Sequence, residues 1–177
     1  ESIRNNDSHY APQKGKLELR QAISNYLKKA TGVVYDPETE IVVTVGATEA
    51  INATLFSITN PGDKVAIPTP VFSLYWPVAT LADADYVLMN TSEDNFKLTP
   101  ERLESTLKEE SNIKAVILNY PVNPTGVEYT ESEIRALAEV IKAHNLYVIT
   151  DEIYSTLTYG VKHFSIASVI PERAIYI

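Results

Sequence analysis

Short apolar, β-branched runs alternate along this chain with stretches of helical periodicity, and that alternation constrains the fold more than any other feature. Ile41–Val45, Lys64–Pro68, Tyr86–Met89, Ala115–Leu118, Tyr147–Thr150 and Ala174–Ile177 read as six buried strands, too short to be helices and rich in Val and Ile. A helix is predicted over 17–30, with Leu19, Ala22, Ile23, Tyr26, Leu27 and Ala30 on its apolar face and Gly32 as its stop. Gly46-Ala47-Thr48 opens a second helix carrying Ile51, Leu55 and Ile58, and a short one follows from about Phe72. Thr99-Pro100 starts a fourth, because proline at the first helical position loses no hydrogen bond. Thr130 with Glu133 forms a capping box ahead of the stripe Ile134, Leu137, Ala138, Ile141. Strands that alternate with helices pair in parallel, because the helical crossover returns the chain to the same end of the sheet. The expected fold class is therefore α/β, three layers with helices on both faces of a mostly parallel sheet.

In such sheets ligands bind beyond the carboxyl ends of the strands. Four of those ends carry polar or aromatic residues: Gly46-Ala47-Thr48, the segment Pro70 to Tyr75, Asn119 to Gly126, and Asp151-Glu152-Ile153-Tyr154. Each has a plain structural reading beside a functional one. Thr48 is either a helix N-cap or a donor to an anion at the helix N-terminus, and on the motif alone the cap is favoured. Asp151 either caps the next turn or holds a cation or a protonated heterocycle. Asn123, between Val122 and Pro124, is a turn former or an amide aimed at a ligand; either proline bond of that loop can be cis. Phe72, Tyr75 and Trp76 are core aromatics or a stacking surface for a planar ligand.

Composition removes other classes. The six glycines are too scattered for a dinucleotide fingerprint or a phosphate-binding P-loop. With no cysteine, disulfides, thiolate metal sites and thiol nucleophiles are all absent, and the three histidines are far apart in sequence, so no metal site is expected. A net charge of −8 disfavours nucleic acid and anionic membranes as partners. No apolar run approaches the roughly 18–20 residues of a membrane span.

Taken in order, these motifs resemble the large-domain half of a class I/II aminotransferase, the pyridoxal 5'-phosphate (PLP) enzymes of fold type I. The matching residues are Tyr10-x-Pro12-x-x-Gly15 with Leu19-Arg20, Gly46-Ala47-Thr48-Glu49-Ala50, Asn60-Pro61-Gly62-Asp63, Asn119-x-Pro121-x-Asn123-Pro124-Thr125-Gly126 and Asp151-Glu152-Ile153-Tyr154. The nearest resemblance is to the aspartate, aromatic and acetyl-diaminopimelate aminotransferases. It implies that Asp151 pairs with the pyridine N–H of PLP, that Tyr154 and Asn123 bond the ring 3-oxygen, and that Asn123 also contacts the substrate carboxylate. Phe72 stacks on the ring, where many relatives carry Tyr or Trp. Ala47 and Thr48 hold the phosphate, and Tyr10 reaches the phosphate of the partner subunit in a homodimer. The implied reaction is amino transfer between an amino acid and a 2-oxo acid, in the cytoplasm.

The same resemblance places the lysine that carries the cofactor in a Ser-x-[SA]-Lys stretch beyond Ile177, and none of the ten lysines present has that context. No catalytic residue is therefore expected within these 177 residues. They divide into an N-terminal loop and helix (1–30) and a truncated PLP-binding large domain (31–177), with the C-terminal small domain absent and the fragment inactive alone. A carbon–sulfur lyase or synthase of the same fold stays open as an alternative. So does a non-catalytic ligand-sensing domain of a regulator.

Overall fold

A computed structural model describes residues 1, 3–6 and 8–177, which form two compact units, Glu1–Val45 and Gly46–Ile177. In the first unit, helix α1 (Leu17–Thr31) ends at Gly32, whose left-handed φ of 79° lets its N–H close on the carbonyl of Lys28. Its buried face differs from the expected one. Arg20, Ser24 and Leu27 are buried, whereas Leu19 and Tyr26 are about half exposed. The reason is polar: Arg20 donates through Nε to the Gly15 carbonyl and through Nη1 to the Pro37 carbonyl, and Ser24 donates to the Tyr35 carbonyl at 2.6 Å. Buried backbone acceptors need donors, so a polar stripe faces inward here.

The expected strand Ile41–Val45 is not one. Ile41 is buried, but Val42 and Val45 are exposed, and Val43 donates to the Lys14 carbonyl rather than entering a ladder. β-branched residues favour a strand only where a neighbouring strand accepts them.

The second unit holds helices α2 (Gly46–Ile58), α3 (Tyr75–Leu81), α4 (Pro100–Glu109) and α5 (Glu131–Ala143). Its strands are β1 (Lys64–Thr69), β2 (Asp85–Asn90), β3 (Ile113–Asn119), β4 (Tyr147–Asp151) and β5 (Ala174–Tyr176). They form one five-stranded sheet in the order β2-β1-β3-β4-β5, with every pair parallel. The sheet thus has five of the six expected strands, and α3 begins at Tyr75 rather than near Phe72. The α/β fold itself is as expected.

Side-chain alternation along the strands builds two cores. One face packs Val65, Ile67, Ile117 and Ile149 against Ile51 and Leu55 of α2 and Tyr75, Val78 and Ala79 of α3. The other packs Ala66, Val116, Leu118 and Val148 against Leu103 of α4 and Ile134, Leu137 and Ile141 of α5. Both predicted starts hold: the Thr99 side chain accepts from the Arg102 N–H, and Thr130 and Glu133 make the reciprocal capping box. The chain leaves β1 toward β2 on one side and returns to β3 on the other, so the direction of winding reverses between β1 and β3. That reversal opens a crevice at the carboxyl ends of the strands.

Candidate active site

At the end of β4, Asp151 points to the α2–α3 face. It is buried, and its Oδ2 accepts a 2.7 Å hydrogen bond from the Tyr75 hydroxyl. Its Oδ1 accepts a longer one, 3.3 Å, from the Ile153 N–H. Burial pushes the Asp151 carboxyl above its ordinary pKa, and the charge of Glu152 adds to this, while the Tyr75 and Ile153 hydrogen bonds act the other way. The turn-capping reading of Asp151 is thus partly right. It does not explain why a carboxylate is kept in an apolar setting where its charge is costly.

The end of the neighbouring strand is tied to the same point. Asn119, the last residue of β3, donates through Nδ2 to the Asp151 carbonyl at 3.0 Å, and its Oδ1 accepts from the Asn123 N–H at 2.8 Å. This bond holds the Asn123 backbone, and the Asn123 side chain donates through Nδ2 to the Tyr154 hydroxyl at 3.5 Å. Both Tyr120-Pro121 and Asn123-Pro124 are cis, as is Thr69-Pro70. Phe72, 43% exposed, meets the ring of Tyr75 edge-on at 6.1 Å between centroids. Phe72 is thus partly exposed beside Tyr75, the partner of Asp151.

The structure gathers four predicted residues in this way, with Asp151, Asn123 and Tyr154 joined through Asn119 and Phe72 linked through Tyr75. Ala47 and Thr48 are in the first turn of α2. A tight turn at Asn60–Asp63 joins α2 to β1, so α2 runs back along the sheet and its N-terminus lies toward the end where β1 finishes. Thr48 does not cap this helix; it sits inside the first turn, exposed, two residues after Gly46 starts the helix at φ 78°. Tyr10 belongs to the other unit and is fully exposed.

Several site residues escaped the sequence. Tyr75 was legible only as an aromatic, since nothing in its spacing points to Asp151, 76 positions on. Asn119 sat in the motif without a role. Glu152 and His163 were invisible as a pair: His163 Nε2 lies 2.6 Å from Glu152 Oε2, and loops bring them together. Among the described residues, no group of three or more His, Asp or Glu side chains is disposed to hold a metal ion, and no helix is long and apolar enough to cross a membrane.

An open parallel sheet with a buried carboxylate, an amide and a hydroxyl past its strand ends is the architecture of a doubly wound α/β domain. The chain belongs to the class I and II aminotransferase family, whose profile matches residues 2–176. It is 43% identical over 176 residues to a probable N-acetyl-LL-diaminopimelate aminotransferase of Bacillus subtilis, covering 99% of this chain and 44% of that protein. It is 40% identical over 163 residues to the aspartate aminotransferase of Pyrococcus abyssi, covering 91% and 41%. Among solved structures, the aromatic aminotransferase of Pyrococcus horikoshii superposes with a TM-score of 0.93 at 38% identity, over 99% of this chain and 47% of that one. The chain thus spans about half the length of the relatives it matches.

Proposed function

We propose that the full-length protein carrying this chain is a PLP-dependent aminotransferase that moves an amino group between an amino acid and a 2-oxo acid, and that residues 31–177 form part of its cofactor-binding domain. The observation that carries this reading is the buried Asp151 carboxylate, which lies at a strand end with one hydroxyl donor and one long N–H bond. A cationic N–H is the partner that offsets the cost of that charge. A protonated pyridine supplies it, and the residues present fit such a group.

Bound, the cofactor supplies an electron sink for the negative charge left when the substrate Cα loses its proton. Asp151 keeps the ring nitrogen protonated, and Tyr75 keeps Asp151 oriented. Asn123 and Tyr154 direct an amide N–H and a hydroxyl at the ring 3-oxygen, and Asn123 also contacts the substrate carboxylate. Phe72 lies against the ring. Ala47 and Thr48 take the phosphate, because the first turn of a helix presents backbone N–H groups and the positive end of its dipole. Tyr10, with no packing of its own, extends to the phosphate of a second subunit, which makes the working form a homodimer.

The test is amino transfer to 2-oxoglutarate by the full-length protein with added PLP, scanned over amino-acid donors. Activity is expected, and Asp151→Ala is expected to lower kcat by about 100-fold or more, from the loss of electrostatic stabilisation. No transfer from any donor, or full activity in Asp151→Ala, overturns the reading.

A further inference from the structure

Beyond Asp151, on the opposite face of the sheet, lies a buried charged cluster for which the proposed chemistry has no use. Glu152 is 2% exposed. Its Oε1 accepts from Thr150 Oγ1 at 2.7 Å, Ser165 Oγ at 2.7 Å and the Tyr120 hydroxyl at 3.2 Å. The Tyr120 oxygen in turn accepts the Ile166 N–H at 2.8 Å. Glu152 Oε2 faces His163 Nε2 at 2.6 Å, and His163 Nδ1 faces Glu128 Oε1 at 3.1 Å. The imidazole stacks on the Tyr120 ring with centroids 5.1 Å apart.

A carboxylate anion only accepts hydrogen bonds, so placing His163 between two of them favours a ring that donates from both nitrogens, and an imidazole with two N–H groups is a cation. The second oxygen of Glu128 is buried without a hydrogen-bond partner, which leaves the imidazolium as the group that offsets its charge. Burial by itself lowers the pKa of His163, but the hydrogen bonds to Glu128 and Glu152 outweigh it and raise the value to about 9. The titratable groups that face the ring are Glu128 from the stretch before α5, Glu152 after β4 and Tyr120 after β3; the Arg135 guanidinium of α5 lies over the adjacent Phe164 ring.

We propose that His163 is a positioning residue: as a cation it binds Glu152 to Glu128, and through Glu152 and Tyr120 it fixes the ends of β4 and β3, from which Asp151 and Asn123 reach the cofactor. The inference rests on the cofactor site proposed above. Tyr120 is followed directly by the loop that carries Asn123, and Glu152 directly follows Asp151, so a shift of either anchor moves a cofactor contact. Once His163 loses its proton, its one remaining N–H serves only one carboxylate. The other carboxylate then faces a lone pair.

The test is calorimetric titration of the full-length protein, freed of cofactor, with pyridoxamine phosphate between pH 6.5 and 10. In the unaltered protein Kd is expected to rise roughly tenfold, with a midpoint near pH 9. Glu128→Gln, which removes one carboxylate and leaves the ring, is expected to move that midpoint down by about one pH unit. His163→Gln is expected to bind weakly already at neutral pH and to lose this alkaline limb. Nitrogen-15 spectra of His163 are expected to show both ring nitrogens protonated at pH 7.5. A neutral ring at pH 7.5, or an alkaline limb that neither variant alters, overturns the inference while leaving the cofactor site standing. If the unaltered protein binds no pyridoxamine phosphate at any pH, the cofactor reading falls and this inference with it.

Discussion

At Asp151 burial makes a charge costly. Its carboxyl is raised above 3.8 chiefly by burial, so the folded state holds a proton that the unfolded chain releases. Between those two pKa values the native state binds more protons, and stability falls as pH rises through that window. Above that window the ionised side chain is a net cost to the cofactor-free protein. Asp151→Asn keeps an acceptor for Tyr75 and removes the charge. Its cofactor-free form is expected to melt at the same temperature as the parent or a few degrees higher at pH 7.5, while its affinity for pyridoxamine phosphate drops; differential scanning fluorimetry and calorimetry check the two halves. Asp151 was legible in the sequence because a carboxylate after an apolar run stands out. His163 was not, because Glu128 and Glu152 lie 35 and 11 positions away and only the folded loops make them neighbours.

Elements were legible where local chemistry settles them and illegible where tertiary partners do. The α5 start follows from Thr130 and Glu133 alone, and Thr130→Ala is expected to cost about 1 kcal/mol in a urea melt with no change in m-value. Lys97 pairs with Glu133 at 2.8 Å and keeps that glutamate in place. Ile41–Val45 has the composition of a strand but no ladder partner, and composition carries no information about partners. The apolar face assigned to α1 failed similarly, because the carbonyls of Gly15, Tyr35 and Pro37 drew Arg20 and Ser24 inward. Gly15 had weight in the sequence only as part of a motif; its reason is a φ of 89° and a backbone so close to Val43 that an added Cβ would lie 2.6 Å from a side-chain carbon.

At the scale of the molecule, the alternation of strands and helices was enough to give the parallel sheet. The strand order was not readable, since it depends on which neighbours the crossovers select. The two units also differ in how much they bury. Among the described residues of Glu1–Val45, only Arg20, Ser24, Leu27 and Ile41 are buried, whereas β3 and β4 are buried along most of their length. Hydrogen exchange is therefore expected to be slowest in β1, β3 and β4 and faster by orders of magnitude in α1; equal protection in both would contradict the division. Asp151 and Glu152 are consecutive, yet one serves the face that holds Tyr75 and the other the face that holds Tyr120, because successive residues of an extended chain point opposite ways. A one-residue shift in the register of β4 would therefore exchange the two carboxylates between faces, separating Asp151 from Tyr75 and Glu152 from Tyr120 in a single step.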